Sequence, residues 1–142
     1  MLSESQKAAG PAGLSGPSLI FPDLFGLASR EDELAWEPFY PGVEVSWLYR
    51  AGDHGAAAAF IRFQPGSRVP LHEHQGFEHI FVLRGSQTDE NGRLRAGSLK
   101  INRPGTSHSI LSEDGCLVLA IYEKRVAFAD GPAAAGKISG PV

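Results

Sequence analysis

Cysteine is almost absent from this chain: Cys116 is the only one in 142 residues. A lone thiol excludes an internal disulfide, and no CxxC pair is present. That usage fits a reducing compartment. An excess of basic residues is also missing. Lys and Arg number 13 against 16 Asp and Glu, for a formal net charge of -3 and a pI near 5.9. Such a balance gives no general pull toward nucleic acid or an anionic membrane. No apolar run approaches the roughly 18 residues that span a bilayer. The opening MLSESQKAAG lacks the basic and apolar regions of a secretory signal. The expectation is a cytoplasmic protein with neither nucleic acid nor membrane as a partner.

What is present is ordinary for a soluble domain, with 42% hydrophobic and 20% charged residues. The length fits one domain and suffices for a core without disulfides or a structural metal. Residues 1–18 are rich in Ser, Ala, Gly and Pro, and 130–142 resemble them, so both are expected to be flexible. The folded unit is expected over 19–129. Its signals are for strands. Val43 to Arg50 is β-branched and aromatic, as are parts of Ala56 to Phe63, despite its four alanines. His79 to Leu83, Leu99 to Asn102 and Cys116 to Tyr122 follow, punctuated by Gly and Pro. Asp89-Glu90-Asn91-Gly92 carries the Asn-Gly signal of a hairpin. Short strands at this spacing indicate an all-β sandwich or barrel. Ser29 to Leu34 could form one short helical turn capped by Ser29, and Arg30 to Glu33 reads as a solvated face.

The informative stretch is Gly66 to Gly85, GSRVPLHEHQGFEHIFVLRG. His72 and His74 are two apart, and on a strand they point the same way. Glu78 opens the next apolar run and shares a face with Ile80 and Val82. If that face is interior, Glu78 is a buried carboxylate, costly unless paired or metal-bound. A second segment, Gly97 to His108, turns at Pro104-Gly105 and begins a strand with His108. Three imidazoles and a carboxylate suit Zn, Fe, Mn, Ni or Cu. His79 falls on the opposite face, and Cys116 reads as a buried strand residue. Phe60 and Arg62 share one strand face. Either they line the pocket, with Arg62 holding an anionic group, or Ile61 and Phe63 point inward instead; periodicity does not decide. Ile80 and Tyr122 are further candidates for the pocket wall.

These residues closely resemble the first cupin motif, G-x5-H-x-H-x3-E-x6-G, matched by Gly66, His72, His74, Glu78 and Gly85. The second motif, G-x5-P-x-G-x2-H-x3-N, is matched by Gly97, Gly105 and His108, with Arg103 at its proline and Ser112 at its asparagine. The stretch from Pro65 through Cys116 is similar to the cupin domain of ChrR-type anti-sigma factors. The resemblance implies a single jelly-roll β-barrel (a double-stranded β-helix), one divalent metal held by His72, His74, Glu78 and His108, and a homodimer. Zinc is the first expectation, with iron, manganese or nickel as alternatives. In ChrR-type proteins a separate N-terminal helical domain inhibits the sigma factor. Residues 1–55 here show no HxxxCxxC and no helical pattern, so sigma-factor inhibition is not expected to carry over. The function expected is a small-ligand sensor or regulatory module. The alternative is an iron-dependent dioxygenase cleaving a diketone or aromatic ketone, since ChrR-like cupins also resemble such enzymes.

Overall fold

The computed structural model describes residues 14–128; the expected flexible segments therefore lie mostly outside the described residues. Two 3-10 turns, Phe25–Ser29 and Glu31–Glu33, precede the strands. The strands are β1 (Glu37–Tyr40), β2 (Val43–Arg50), β3 (Ala57–Phe63), β4 (Ser67–Glu73), β5 (Glu78–Asp89), β6 (Gly92–Arg95), β7 (Leu99–Asn102), β8 (Ser107–Ser112), β9 (Cys116–Tyr122) and β10 (Ala127–Phe128). They join in the order β1-β2-β3-β9-β5-β8-β4-β10, with β6 and β7 pairing with β5. Every strand pairing among the described residues is antiparallel. The all-β cupin barrel expected from the sequence is what forms. No helix among the described residues is long and apolar enough to cross a membrane.

The barrel depends on β5 changing partners midway. Glu78 to Phe81 lie between β7 and β9. Ser86 to Asp89 pair with β6, and Thr88 with Leu111 of β8. The change falls at Gly85, whose φ of 72° is left-handed. A Cβ there would stand 2.0 Å from the Gly115 carbonyl oxygen. Only glycine fits both the angle and the approach.

Alternation along β3 settles which face is inside. Ala57, Ala59, Ile61 and Phe63 join Val43, Val45, Trp47, Ile80, Val82, Val118 and Tyr122 in the main core. Phe60 belongs to a second, outer cluster with Leu27, Leu34, Leu83 and Leu117. The 3-10 segment covers this outer face, so both faces of β3 are apolar and its sequence shows no period.

The reading of Phe60 and Arg62 as pocket residues is therefore corrected. Phe60 packs under the 3-10 cover with the Phe21 ring 5.3 Å away. Arg62 donates from Nε to Glu44 and from Nη1 to Asp32, both at 2.8 Å, and lies 4.3 Å above the Trp36 ring. Its charge is met outside the barrel. Two local expectations also change. Ser29 caps nothing; its hydroxyl donates to the Gly26 carbonyl at 2.9 Å. Glu31 is no solvated side chain, because it accepts two bonds from Arg84, at 3.1 and 3.0 Å, and clamps the cover to the sheet. The hairpin turn is Glu90-Asn91, with Gly92 opening β6. No described residue other than glycine has a positive φ, so this is not the type I′ turn that Asn-Gly signals.

Two motif glycines should respond differently to alanine. Gly66 has a φ of 84° but open space where a Cβ would go, so Gly66→Ala should cost about 1–2 kcal/mol for the backbone alone. Gly85→Ala adds a clash with backbone and should cost about 3 kcal/mol or more. Urea unfolding followed by tryptophan fluorescence checks the order; equal losses would refute the account of the β5 crossing.

Candidate metal centre

Two cross-strand rows face each other at one end of the barrel. On one wall, His72 of β4 stands between Phe128 of β10 and His108 of β8. On the other, Glu78 of β5 stands between Asn102 of β7 and Tyr122 of β9, and Tyr122 pairs onward with Ala57. His74 follows the end of β4, on the same side as His72. The period-two logic thus holds: His72, His74, Glu78 and His108 are each 1% exposed, while Glu73 between the histidines is exposed. His79, as expected, faces away from them.

The three imidazoles offer nitrogens within 4.8 Å of one another, close enough to share one ion. Their orientation is set from behind. His72 Nδ1 lies 2.9 Å from the Pro70 carbonyl oxygen. His74 Nδ1 lies 3.0 Å from both the carbonyl and hydroxyl oxygens of Thr106, and that hydroxyl donates to the Arg103 carbonyl. His108 Nδ1 lies 2.8 Å from Asp89 Oδ2. The carbonyls and the carboxylate can only accept, and the Thr106 hydroxyl has already given its proton to Arg103, so each Nδ1 carries the proton and each neutral ring keeps a lone pair on Nε2. All three Nε2 atoms are buried without a hydrogen-bond partner, and so is Glu78 Oε2. Glu78 Oε1 accepts from Asn102 Nδ2 at 2.9 Å and lies 3.0 Å from His74 Nε2. With His74 protonated on Nδ1 alone, that last contact sets one lone pair against another; a cation or a second proton between them relieves it. The donor set and its unmet acceptors fit a divalent ion.

Burial pushes the His72 pKa down to about 4, against the pull of the Glu78 charge. His108 is lowered by burial too. Burial opposes the charge on Glu78, but the contact with His74 and the nearby rings bring its pKa below the ordinary carboxylate value. Cys116, on β9 and fully buried, has its thiol pushed up to about 11 by burial, which leaves it inert as a nucleophile. Ile80 and Tyr122 do lie on the interior face, and the Tyr122 hydroxyl is buried without a partner. Ser112, at the motif's asparagine, donates to the Ser86 carbonyl at 2.6 Å and does not approach the imidazoles.

Sequence reading missed Asp89, Asn102 and Thr106. Asp89 could have been found by counting in twos from Gly85 along β5. Asn102 and Thr106 flank the Pro104-Gly105 turn and carry no signal of their own. An apolar groove of about 560 Å³ between Phe77, Ile101 and Ile121 includes His79 and Tyr122 but none of the three imidazoles.

The His72 shift gives the metal-free protein a pH dependence. Between pH 6.5 and about 4 the unfolded chain binds a proton on this residue that the folded chain does not. Stability should therefore fall on acidification through that window, by on the order of 3 kcal/mol from His72 alone. Above pH 6.5 the contribution vanishes. Denaturant midpoints of chelator-treated protein at pH 7, 5.5 and 4.5 check this; a flat profile would mean that His72 is not buried as a neutral ring.

A family model described as the ChrR Cupin-like domain matches residues 27–125. Anti-sigma-E factor ChrR of Cereibacter sphaeroides is 29% identical over 120 residues, which cover 83% of this chain and 55% of that protein. The chain spans about half the length of the curated relatives it matches. The crystal structure of Rhodobacter sphaeroides SigE in complex with the anti-sigma ChrR matches with a TM-score of 0.59 at 30% identity, over 68% of this chain and 55% of that one. An acetylacetone dioxygenase from Acinetobacter johnsonii matches with a TM-score of 0.64 over 89% of this chain and 92% of that one, at 15% identity, a likeness of fold alone. With its barrel, its histidine cluster and the family match over residues 27–125, the chain belongs to the ChrR Cupin-like family.

Proposed function

We propose that this chain is a metal-binding cupin module in which His72, His74 and His108, through Nε2, and Glu78, through its carboxylate, hold one divalent transition metal. The observation that carries this is the set of three buried Nε2 atoms and one carboxylate oxygen left without donors. Such a cluster is expensive in a dry interior unless a cation completes it. Zinc suits the donor set, as do iron, manganese and nickel. A bound ion would supply a Lewis-acidic centre with positions left for a small ligand. The residues around it then have separable tasks. Asn102 holds one oxygen of Glu78. Thr106 fixes the His74 ring. The unpartnered Tyr122 hydroxyl is a hydrogen-bonding group for whatever ligand enters.

Within this reading the role we favour is a small-ligand sensor or regulatory module of the cytoplasm, working as a homodimer. The ChrR relative is named as an anti-sigma factor and is seen with SigE, which supports regulation as the setting; the sigma partner itself is not carried over. The 1% exposure of all four proposed ligands favours an ion that is retained. Dioxygenase activity on a diketone or aromatic ketone is the second reading. It rests on the same histidine and glutamate donors, which leave open positions on iron, and it requires the buried centre to open.

Elemental analysis of protein purified without added metal tests the proposal. The expected result is close to one transition metal per chain, lost in His72→Ala and in His108→Ala. Metal-free wild type that takes up no added Zn(II), Fe(II), Mn(II) or Ni(II) would refute the ligand assignment. Zinc as the resident ion, with no oxygen uptake after Fe(II) loading and a panel of diketones, favours the sensor. Iron with substrate-dependent oxygen uptake favours the dioxygenase.

A further inference from the structure

His72 and His74 are held by oxygens that no substitution of a neighbouring side chain removes, the carbonyls of Pro70 and Thr106. His108 differs: the group behind it is the carboxylate of Asp89, on another strand. That carboxylate is itself only 3% exposed. Its other oxygen, Oδ1, accepts the Asn91 backbone N–H at 2.8 Å and shapes the β5–β6 turn. Lys100 of β7 donates to Oδ2 as well, and also to Asn91 Oδ1 at 3.1 Å. The next residue, Glu90, accepts from the backbone N–H of Ser109 at 3.0 and 3.2 Å and from its hydroxyl at 2.8 Å. One backbone pairing, Thr88 with Leu111, links β5 to β8. The end of β8 that carries His108 is thus tied to the hairpin by side chains from two consecutive residues.

We propose that Asp89 is the positioning residue for His108: held by the hairpin turn and by Lys100, its carboxylate keeps the proton on His108 Nδ1 and so points the Nε2 lone pair at the shared centre. The inference rests on the metal-binding reading for its effect on affinity, though not for its effect on the ring. A carboxylate behind an imidazole also makes that ring a more basic ligand, an effect a backbone carbonyl gives more weakly. Asparagine cannot substitute. Three donors converge on Asp89 from two sides, the Asn91 N–H on one oxygen and Lys100 and His108 on the other. An amide presents an oxygen to one side only and sets its own NH₂ against a donor on the other.

The test compares wild type with Asp89→Asn in two measurements. Competition with a chromophoric chelator for Zn(II) should show an affinity loss of about 10- to 100-fold in Asp89→Asn. Long-range ¹H–¹⁵N spectra of the metal-free proteins should show His108 protonated on Nδ1 in wild type and shifted toward the Nε2–H form in the variant, with His72 and His74 unchanged. A merely structural role for Asp89 would not move that one ring selectively. Unchanged zinc affinity with an unchanged His108 tautomer overturns the inference and leaves the metal reading standing. If wild type binds no metal, the metal reading fails and the tautomer comparison still decides this one. Should Asp89→Asn not fold, the wild-type spectrum decides alone: a His108 Nδ1 without a proton overturns the proposal.

Discussion

A neutral imidazole has one N–H and one lone pair, and where the first goes determines where the second must point. In this barrel the N–H groups of His72, His74 and His108 are all committed outward, to Pro70, Thr106 and Asp89. Three lone pairs are therefore turned inward, beside a carboxylate, in a space that water does not reach. Four acceptors without a donor make a demand for positive charge. The demand is built from second partners more than from the histidines themselves: exchange the Nδ1 acceptors for donors, and the same three rings would present N–H groups and repel a cation.

The rest of the barrel can be read as holding that arrangement at one end. Running along the strands, the interior changes character. At the far end it is apolar and closely filled, with Val43 paired to Phe63, Phe63 to Cys116, and Cys116 to Gly85. At the near end the interior positions of β3 are small: Ala57 pairs with Tyr122, and Ala59 with Ala120. The run of alanines at 56–59, which looks like a helix former on propensity, makes sense as space. Larger residues at 57 and 59 would fill the volume that the imidazoles, Glu78 and Tyr122 occupy. Cohesion is concentrated in one half of the barrel and polar function in the other.

The strands and the histidine cluster were legible because their signals are local. The bounds of β2, β7 and β9 coincide with the runs of β-branched and apolar residues, and period-two alternation put His72 and His74 on one face and Glu78 with Ile80 and Val82 on another. What was not legible depended on contacts between distant segments. Whether Phe60 or Ile61 points inward is set by the 3-10 segment that covers the outside of β3, and nothing within β3 records that cover. Arg62 looked like a candidate for anion binding because its partners, Glu44 and Asp32, are 18 and 30 residues away. Asp89 was read as turn chemistry, which is half of what it does: one oxygen makes the turn and the other reaches His108.

That double use has a consequence for how tightly the site is tied to the scaffold. A hairpin tip is the sort of exposed, two-residue connection that tolerates change in most barrels. Here the tip is joined to the centre through Asp89 to His108 and through Glu90 to Ser109. Lys100, the third member, lies on β7, where Asn102, two residues further on, holds Glu78 in the other row. The hairpin and β7 therefore bear on both rows at once, one through an imidazole and the other through the carboxylate. A change at the Glu90-Asn91 turn, outside the buried centre, bears on His108, because the Asp89 carboxylate behind that ring is held by the Asn91 N–H.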